Sequence, residues 1–220
     1  MLEVSSLKEL RQSGFTRVSI ACGNFDGVHR GHRVIIDKLI ASAATSSAEP
    51  VVLTFSPHPR EVLQGIKVPA LTTPALKKRL LSELGVKALI TLPFSRELAA
   101  MLPEKFVDEI LQLDGIEVCD LCIGSQWKFG AKRKGDVDFL KNGQWSFNVH
   151  GVEEVSDDCE FVSSSRIREA LAEGDFAAAT YLLKREYGVS GPVVRGRGLA
   201  SKELNFPTAN LQISEQCLPL

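Results

Sequence analysis

The segment Gly23-Asn24-Phe25-Asp26-Gly27-Val28-His29-Arg30-Gly31-His32 constrains this chain more than any other. A buried-looking strand, Val18 to Cys22, runs directly into it, and an apolar-periodic stretch with Val34, Ile35, Leu39 and Ile40 follows. The order is strand, glycine-bearing turn, helix. In open α/β sheets, ligands bind where such a turn leaves the carboxyl end of a strand. Glycines admit close backbone approach, and the first turn of a new helix offers unpaired N–H groups to an anion. His29 and His32, three residues apart, are expected on one helical face. Each can donate a hydrogen bond to phosphate without a fixed charge. Taken alone, an HxxH pair is more often structural. A zinc site would need three or four ligands nearby, and the G-x-G-x-x-G dinucleotide fingerprint is missing from this segment. The conjunction of strand, Asp-Gly turn and His-x-Gly-His marks a candidate cradle for nucleotide phosphates.

The rest of the chain alternates strand and helix, which predicts an α/β fold built on an open parallel sheet. Strands are expected at 17–22, 51–55, 87–92 and 117–123, with helices near 32–45, 74–85 and 104–113. The runs Val51-Val52-Leu53-Thr54-Phe55 and Ala88-Leu89-Ile90-Thr91-Leu92 are short and nearly continuously apolar. That pattern suits parallel strands covered on both faces, joined by right-handed crossovers. Residues 124–150 interrupt the alternation with a basic loop, then a strand expected at 145–149. Two helices, about 164–173 and 175–184, are separated by Gly174. Tyr187 to Gly191 reads as a boundary, dividing the chain into a main domain, 1–186, and a β-like segment, 187–220.

At 220 residues there is room for one sizeable domain and part of a second. Twenty-six basic residues against 27 acidic ones leave no general field for nucleic acid. The N-terminal residues have neither the basic nor the apolar region of a secretory signal, and no apolar run approaches a membrane span. The expectation is a soluble, cytoplasmic protein without nucleic-acid or membrane partners. Cys119 and Cys122 form a C-x-x-C, but three residues apart on a strand they face opposite sides. With Cys22 they read as reduced packing residues.

Two further segments carry chemistry. Ser163, Ser164 and Ser165 are N-cap candidates for the helix that follows. Arg166 and Arg168 lie in its first turn, where the helix dipole disfavours cations by roughly 0.3–1 kcal/mol. A bound anion would reverse that sign, so capping and a triphosphate clamp compete as readings. Arg168 is the stronger phosphate candidate, with Arg166 placed on the solvent side. The loop Gln126 to Asp136 carries Lys128, Lys132, Arg133 and Lys134 together with Trp127 and Phe129. It reads either as a solvated basic loop or as a mobile cover offering cations to phosphates and an aromatic edge to a ring.

On these residues the chain resembles the HxGH nucleotidylyltransferases, and more narrowly bacterial FAD synthetases, which join a riboflavin kinase to an FMN adenylyltransferase. The G-x-F-D-G-x-H-x-G-H block is complete at Gly23 to His32, and T-F-x-P-H-P stands at Thr54 to Pro59. Gly124 to Gly130 is similar to the family's G-x-D/N-F-x-F-G loop, and Ser163 to Arg168 to its S-S-T/S-x-I-R block. Phe206-Pro207-Thr208-Ala209-Asn210 looks like the P-T-A-N signature that opens the kinase module. The resemblance implies a Rossmann-like sheet of the HxGH type followed by the first part of a β-barrel. It implies Mg²⁺ with ATP, FMN as second substrate and FAD as product. His29, His32 and Arg168 become the catalytic candidates. Gly23, Asn24, Phe25, Gly31, Ser163, Ser164, Ser165 and Arg166 become ATP-binding candidates, while Asp26, Pro57, His58, Gln126 and Phe129 fall to the flavin. Asp26 has a competing role in shaping the turn, and His58, between two prolines, in a rigid bend.

The chain departs from the family pattern at Gln126, where a shorter Asp or Asn is usual, and at Trp127, where Phe is usual. Thr208 and Asn210 match kinase Mg-ATP residues, yet Leu199-Ala200-Ser201 stands for Leu-Gly-Arg and Asn205 for Gly. The chain reaches Leu220 before most of a barrel, so riboflavin kinase activity is not expected from it. Two alternatives stay open: an HxGH transferase with another phosphate acceptor, and a nucleotide- or flavin-sensing module without turnover. Neither a metal ligand set nor an oligomeric state is legible.

Overall fold

A computed structural model describes residues 1–112, 114–153, 155–157, 160–194, 210–213 and 216–218. Its centre is a six-stranded, wholly parallel sheet in the order β1-β4-β3-β2-β5-β6. The strands are β1 (Leu2–Val4), β2 (Arg17–Cys22), β3 (Glu49–Ser56), β4 (Ala88–Pro93), β5 (Glu117–Gly124) and β6 (Asn148–Val152). The helices between them are α1 (Leu7–Gln12), α2 (Arg30–Thr45), α3 (Pro59–Gln64), α4 (Pro74–Glu83), α5 (Arg96–Ala100), α6 (Pro103–Phe106) and α7 (Val137–Asn142). Helices α8 (Ser164–Ala172) and α9 (Phe176–Leu183) close the main body.

The near-continuous apolar runs arise because both sheet faces are covered. Val51 and Leu53 of β3 enter one core with Ile20, Ile90, Leu121 and Ile123. Val52 turns to the other face, with Ala21, Leu89 and Cys122 against Ile36 and Leu39 of α2 and Leu80 and Leu81 of α4. Each fully buried aliphatic side chain contributes about 1.5–3 kcal/mol, so strands read on both faces hold the sheet with either helical layer. A third cluster joins α8 and α9 to Leu71 and Cys217.

From β2 the chain moves outward through β3 and β4, then returns to lay β5 on the other side of β2. That reversal opens a crevice beyond the carboxyl ends of β2 and β5, where doubly wound sheets take their ligands. Gly23 and Gly124 stand at those two strand ends.

Several expectations need correction. The strand expected at 145–149 is Asn148–Val152, paired with β5 from Asp120 to Gly124. Residues 137–142, read as part of the basic loop, form α7, capped by Asp136, whose Oδ1 accepts from the Phe139 N–H at 2.9 Å. The helix expected over 104–113 is one α-turn that widens into a π-turn at Val107–Leu111 and ends there. Strand β1 and helices α1, α3 and α5 are each of six residues or fewer, too short to show a period. Cys22, Cys119 and Cys122 are buried free thiols, with Cys119 at a bulge where β5 gains a residue on β2. The β-like segment contributes β7 (Val193–Val194) and β8 (Asn210–Leu211), an antiparallel pair. Thr208 lies outside the described residues, and Asn210 is exposed in β8.

Away from the crevice, Asp120 holds one buried polar network. Its carboxylate accepts from Ser19 Oγ (2.7 Å), Ser46 Oγ (2.8 Å), Asn148 Nδ2 (3.3 Å) and the His150 ring (2.9 Å). These hydrogen bonds outweigh burial and hold its pKa below the usual value. A buried carboxylate so placed ties β2, β5, β6 and the end of α2 together, and its removal leaves several polar groups unpaired. Asp120→Ala is expected to destabilise the fold by about 2–4 kcal/mol. Urea unfolding measures this, with a lowered midpoint at unchanged slope as the expected result.

Candidate active site

Helix α2 starts where its sequence places a cap. His29 is the N-cap, with extended backbone (ψ 176), and its Nδ1 accepts from the His32 N–H at 3.3 Å. His29 therefore precedes the helix instead of sharing its face with His32. The two rings stack with centroids 3.6 Å apart and planes 18° from parallel. Because Nδ1 serves as acceptor, the neutral ring carries its proton on Nε2, which is left to donate outward. A Cβ on Gly31 would stand 3.3 Å from the His29 ring, so the glycine between the histidines accommodates the stack. Burial pulls the pKa of His29 down to about 4, with Asp26 opposing and Arg168 and Arg185 assisting. His32 is lowered as well, by burial first, then by His29 and Lys77. Both rings are neutral donors at neutral pH.

The turn before α2 is gripped from outside. The Asp26 carboxylate accepts from the N–H groups of Leu71 and Thr72, from Thr72 Oγ1 at 3.1 Å, and from Arg168 Nη2 at 2.5 Å. Ser164 Oγ donates to the Asp26 carbonyl at 2.9 Å. Arg185 Nη1 donates to the Gly27 carbonyl at 2.8 Å. The Asn24 carbonyl accepts from Thr54 Oγ1 (3.0 Å) and Lys77 Nζ (2.9 Å). Phe25 and Val28 hold positive φ (49 and 43) inside this clasp, strain of about 1–3 kcal/mol each that such contacts sustain.

A cavity of about 700 Å³ opens over the turn. On its polar side stand Gly23 to Asp26, His29, Gly31, His32, Ser163 to Ser165 and Arg168. On its aromatic side stand Phe55, Phe94, Phe106, Trp127 and Phe129, with Trp127 and Phe129 stacked at 4.7 Å. His58 lines the cavity as well. It caps α3 through Nδ1, which accepts from the Arg60 N–H at 3.2 Å, and its Nε2 is 3.4 Å from Asn24 Nδ2. Burial, ahead of Arg168, lowers its pKa. Lys128, Lys132 and Arg133 reach the rim, Gln126 lines the wall, and Pro57, joined to Ser56 by a cis peptide bond, stands outside the lining.

The structure thus gathers most of the sequence candidates but divides their labour. Asp26, expected at the flavin, has its carboxylate taken up by Leu71, Thr72 and Arg168, and shapes the turn. Arg168 is tied to Asp26 and, through Nε, to the Pro69 carbonyl at 2.7 Å. It adjoins the cavity as an anchored cation, not a freely reaching clamp. Ser163 is the N-cap of α8, accepting from the Arg166 N–H, and Ser164 staples Asp26, so Ser165 alone of the three is exposed. Arg166 is half-buried, which corrects its placement on the solvent side, and it stands outside the cavity lining. The basic loop is fastened at both ends: Phe129 and Gly135 exchange backbone hydrogen bonds, and the Ala131 N–H donates to the Met101 carbonyl. Among the described residues no group of three or more His, Cys, Asp or Glu is placed to hold a metal.

Lys77, Arg185, Phe94 and Thr72 escaped the sequence reading. A signal existed for Lys77, which falls three and four residues before the buried Leu80 and Leu81 of α4, a cation on a core-facing stripe.

A family model described as FAD synthetase matches residues 12–166, and one described as riboflavin kinase matches 183–220. The chain is similar to the bifunctional riboflavin kinase/FMN adenylyltransferase of Pseudomonas fluorescens, 38% identical over 200 residues, covering 90% of this chain and 64% of that protein. The Escherichia coli protein of the same description is 32% identical over 220 residues, covering 99% of this chain and 69% of that one. A solved structure described as a macrolide-efflux protein from Streptococcus pneumoniae superimposes with a TM-score of 0.83 at 27% identity, covering 94% of this chain and 69% of that one. No helix among the described residues is long and apolar enough to cross a membrane.

The depressed histidine fixes a pH dependence. A ring that titrates near 6.5 when unfolded and near 4 when folded binds fewer protons in the native state across that interval. Stability is therefore full above about pH 6.5 and falls as pH drops toward 4, by up to about 3 kcal/mol for His29. Thermal melts between pH 7.5 and 4.5 should show the fall. His29→Asn, which puts a capping oxygen in place of Nδ1 and does not titrate, should shrink it.

Proposed function

The chain belongs to the FAD synthetase family, and on that premise we propose that it transfers AMP from ATP to FMN, forming FAD and releasing pyrophosphate. The observation that carries this is one cavity with two unlike sides: neutral ring donors and the N-termini of α2 and α8 on one, a stacked aromatic wall on the other. The first suits phosphates, the second a flat ring system. The site residues divide accordingly, with His29, His32, Gly31, Asn24 and Ser165 toward ATP and His58, Gln126, Trp127 and Phe129 toward the flavin.

In the reaction, a phosphate oxygen of FMN bonds to the α-phosphorus of ATP while the bond from that phosphorus to the oxygen bridging to the β-phosphate breaks. The electron pair leaves with pyrophosphate. A phosphate monoester has a second pKa near ~6, so the nucleophile is already anionic at neutral pH and no general base is required. The barrier lies in bringing two anions into line and in charge accumulating around the transferred phosphorus. His29 and His32, held neutral, donate to phosphate oxygens without needing to gain or lose a proton. Mg²⁺ bound to ATP would neutralise charge on the triphosphate.

The division at residues 186 and 187 is part of the same reading. Residues 1–186 are the adenylyltransferase, and 187–220 the opening segment of a riboflavin kinase module, in a soluble, cytoplasmic enzyme.

The test is FAD formation from FMN, ATP and Mg²⁺, followed by chromatography. Wild type should turn over, chelation by EDTA should stop it, and His29→Ala with His32→Ala should lower kcat by about 10²-fold or more. A folded wild type that binds ATP or FMN yet makes no FAD would favour the sensing module.

A further inference from the structure

Lys77 lies outside the cavity lining, yet its ammonium is spent on the turn beneath it. It projects from the core-facing side of α4, half-buried, and Nζ donates to the Asn24 carbonyl at 2.9 Å. Thr54 Oγ1 grips the same oxygen from β3 at 3.0 Å. A trans peptide holds its C=O and N–H in opposite directions. Fixing the Asn24 oxygen toward Lys77 and Thr54 therefore turns the Phe25 N–H away from them, and both Asn24 and Phe25 line the cavity. The same residue's side chain faces His58, with Nδ2 3.4 Å from Nε2. One carbonyl thus sets a main-chain donor and an amide side chain together.

The chemistry of the contact is unusual for a purely structural role. A lysine withdrawn from water loses hydration that one carbonyl does not replace, and burial accordingly lowers its pKa while Asp26 opposes the shift. A methionine of similar length would fill the space without that cost. A cation kept there at a loss to stability points to work done at the site.

We propose that Lys77 is a positioning residue for adenylyl transfer, holding the Asn24–Phe25 peptide so that its N–H meets ATP phosphate and adding positive charge beneath the turn. This rests on the reading of the cavity as an adenylyl-transfer site. Lys77 touches no substrate; it acts through the peptide it holds.

Lys77→Met and Lys77→Arg, compared with wild type for FAD formation and thermal melting, test it. A misplacement of this kind commonly costs about 10²-fold in turnover. Lys77→Met should lose that much in kcat while its melting temperature stays level or rises, and Lys77→Arg should regain at least about a tenfold share by restoring charge and donor. A Lys77→Met enzyme within about threefold of wild-type kcat overturns the proposal. So does loss of activity that follows loss of folding in both variants. A wild type that forms no FAD overturns the reading of the cavity itself, and an active wild type beside an equally active Lys77→Met overturns this inference alone.

Discussion

The carboxylate of Asp26 is where three separate stretches of chain are joined. It belongs to the turn after β2, it is held by the N–H groups of Leu71 and Thr72, and it is paired with Arg168 of α8. The segment before α4 and α8 also meet directly, through Arg168 Nε on the Pro69 carbonyl and Leu71 against Ile167 and Leu171, and Asp26 joins both to the turn. A charge this buried is tolerable only because four donors meet it. The turn it anchors carries two non-glycine residues at positive φ, a conformation that needs outside contacts to persist. Arg185 on Gly27 and Ser164 on Asp26 supply more of them. The polar residues around the turn thus serve geometry first, and chemistry through it.

That ordering explains which parts of the site were legible in the sequence. The turn and its two histidines could be placed because strand, glycine turn and helix follow each other within about 30 residues, so local pattern and tertiary position coincide. The sheet was readable for a related reason: parallel strands buried on both faces advertise themselves as apolar runs, as Val51 to Phe55 do. What could not be read was who pairs with whom across long separations. Nothing local says that Arg168 reaches back 142 residues to Asp26. The serine block shows the same limit. Its spacing fits a cap and an anion site equally, and the fold gives Ser163, Ser164 and Ser165 three different surroundings. Helix α7 was missed because the basic loop before it dominates the composition and only Asp136 announces a start.

The histidine stack bears on why the site favours neutral rings. Two imidazoles with centroids 3.6 Å apart cannot both be charged without mutual repulsion, and burial already disfavours either charge. In the proposed reaction a neutral ring would donate a hydrogen bond without placing a fixed cation beside the pyrophosphate. Lys77, Arg168 and Arg185 are each bonded to the turn itself, and of the three only Arg168 also lines the cavity. In the proposed reaction such cations would add to the positive field at the phosphates.

The segment beyond residue 186 is tied to the same framework. Gln216 bridges Ala70 in parallel, the Cys217 N–H donates to the Ala70 carbonyl at 2.8 Å, and the Tyr187 hydroxyl donates to the Cys217 carbonyl at 2.6 Å. Ala70 is the residue between Pro69, whose carbonyl takes Arg168, and Leu71, whose N–H takes Asp26. The four residues Pro69 to Thr72 therefore have the turn after β2 on one side and the β-like segment on the other. A backbone held by hydrogen bonds in both directions has little freedom to move independently of either neighbour, so the two parts of the chain share a structural element and not merely a boundary.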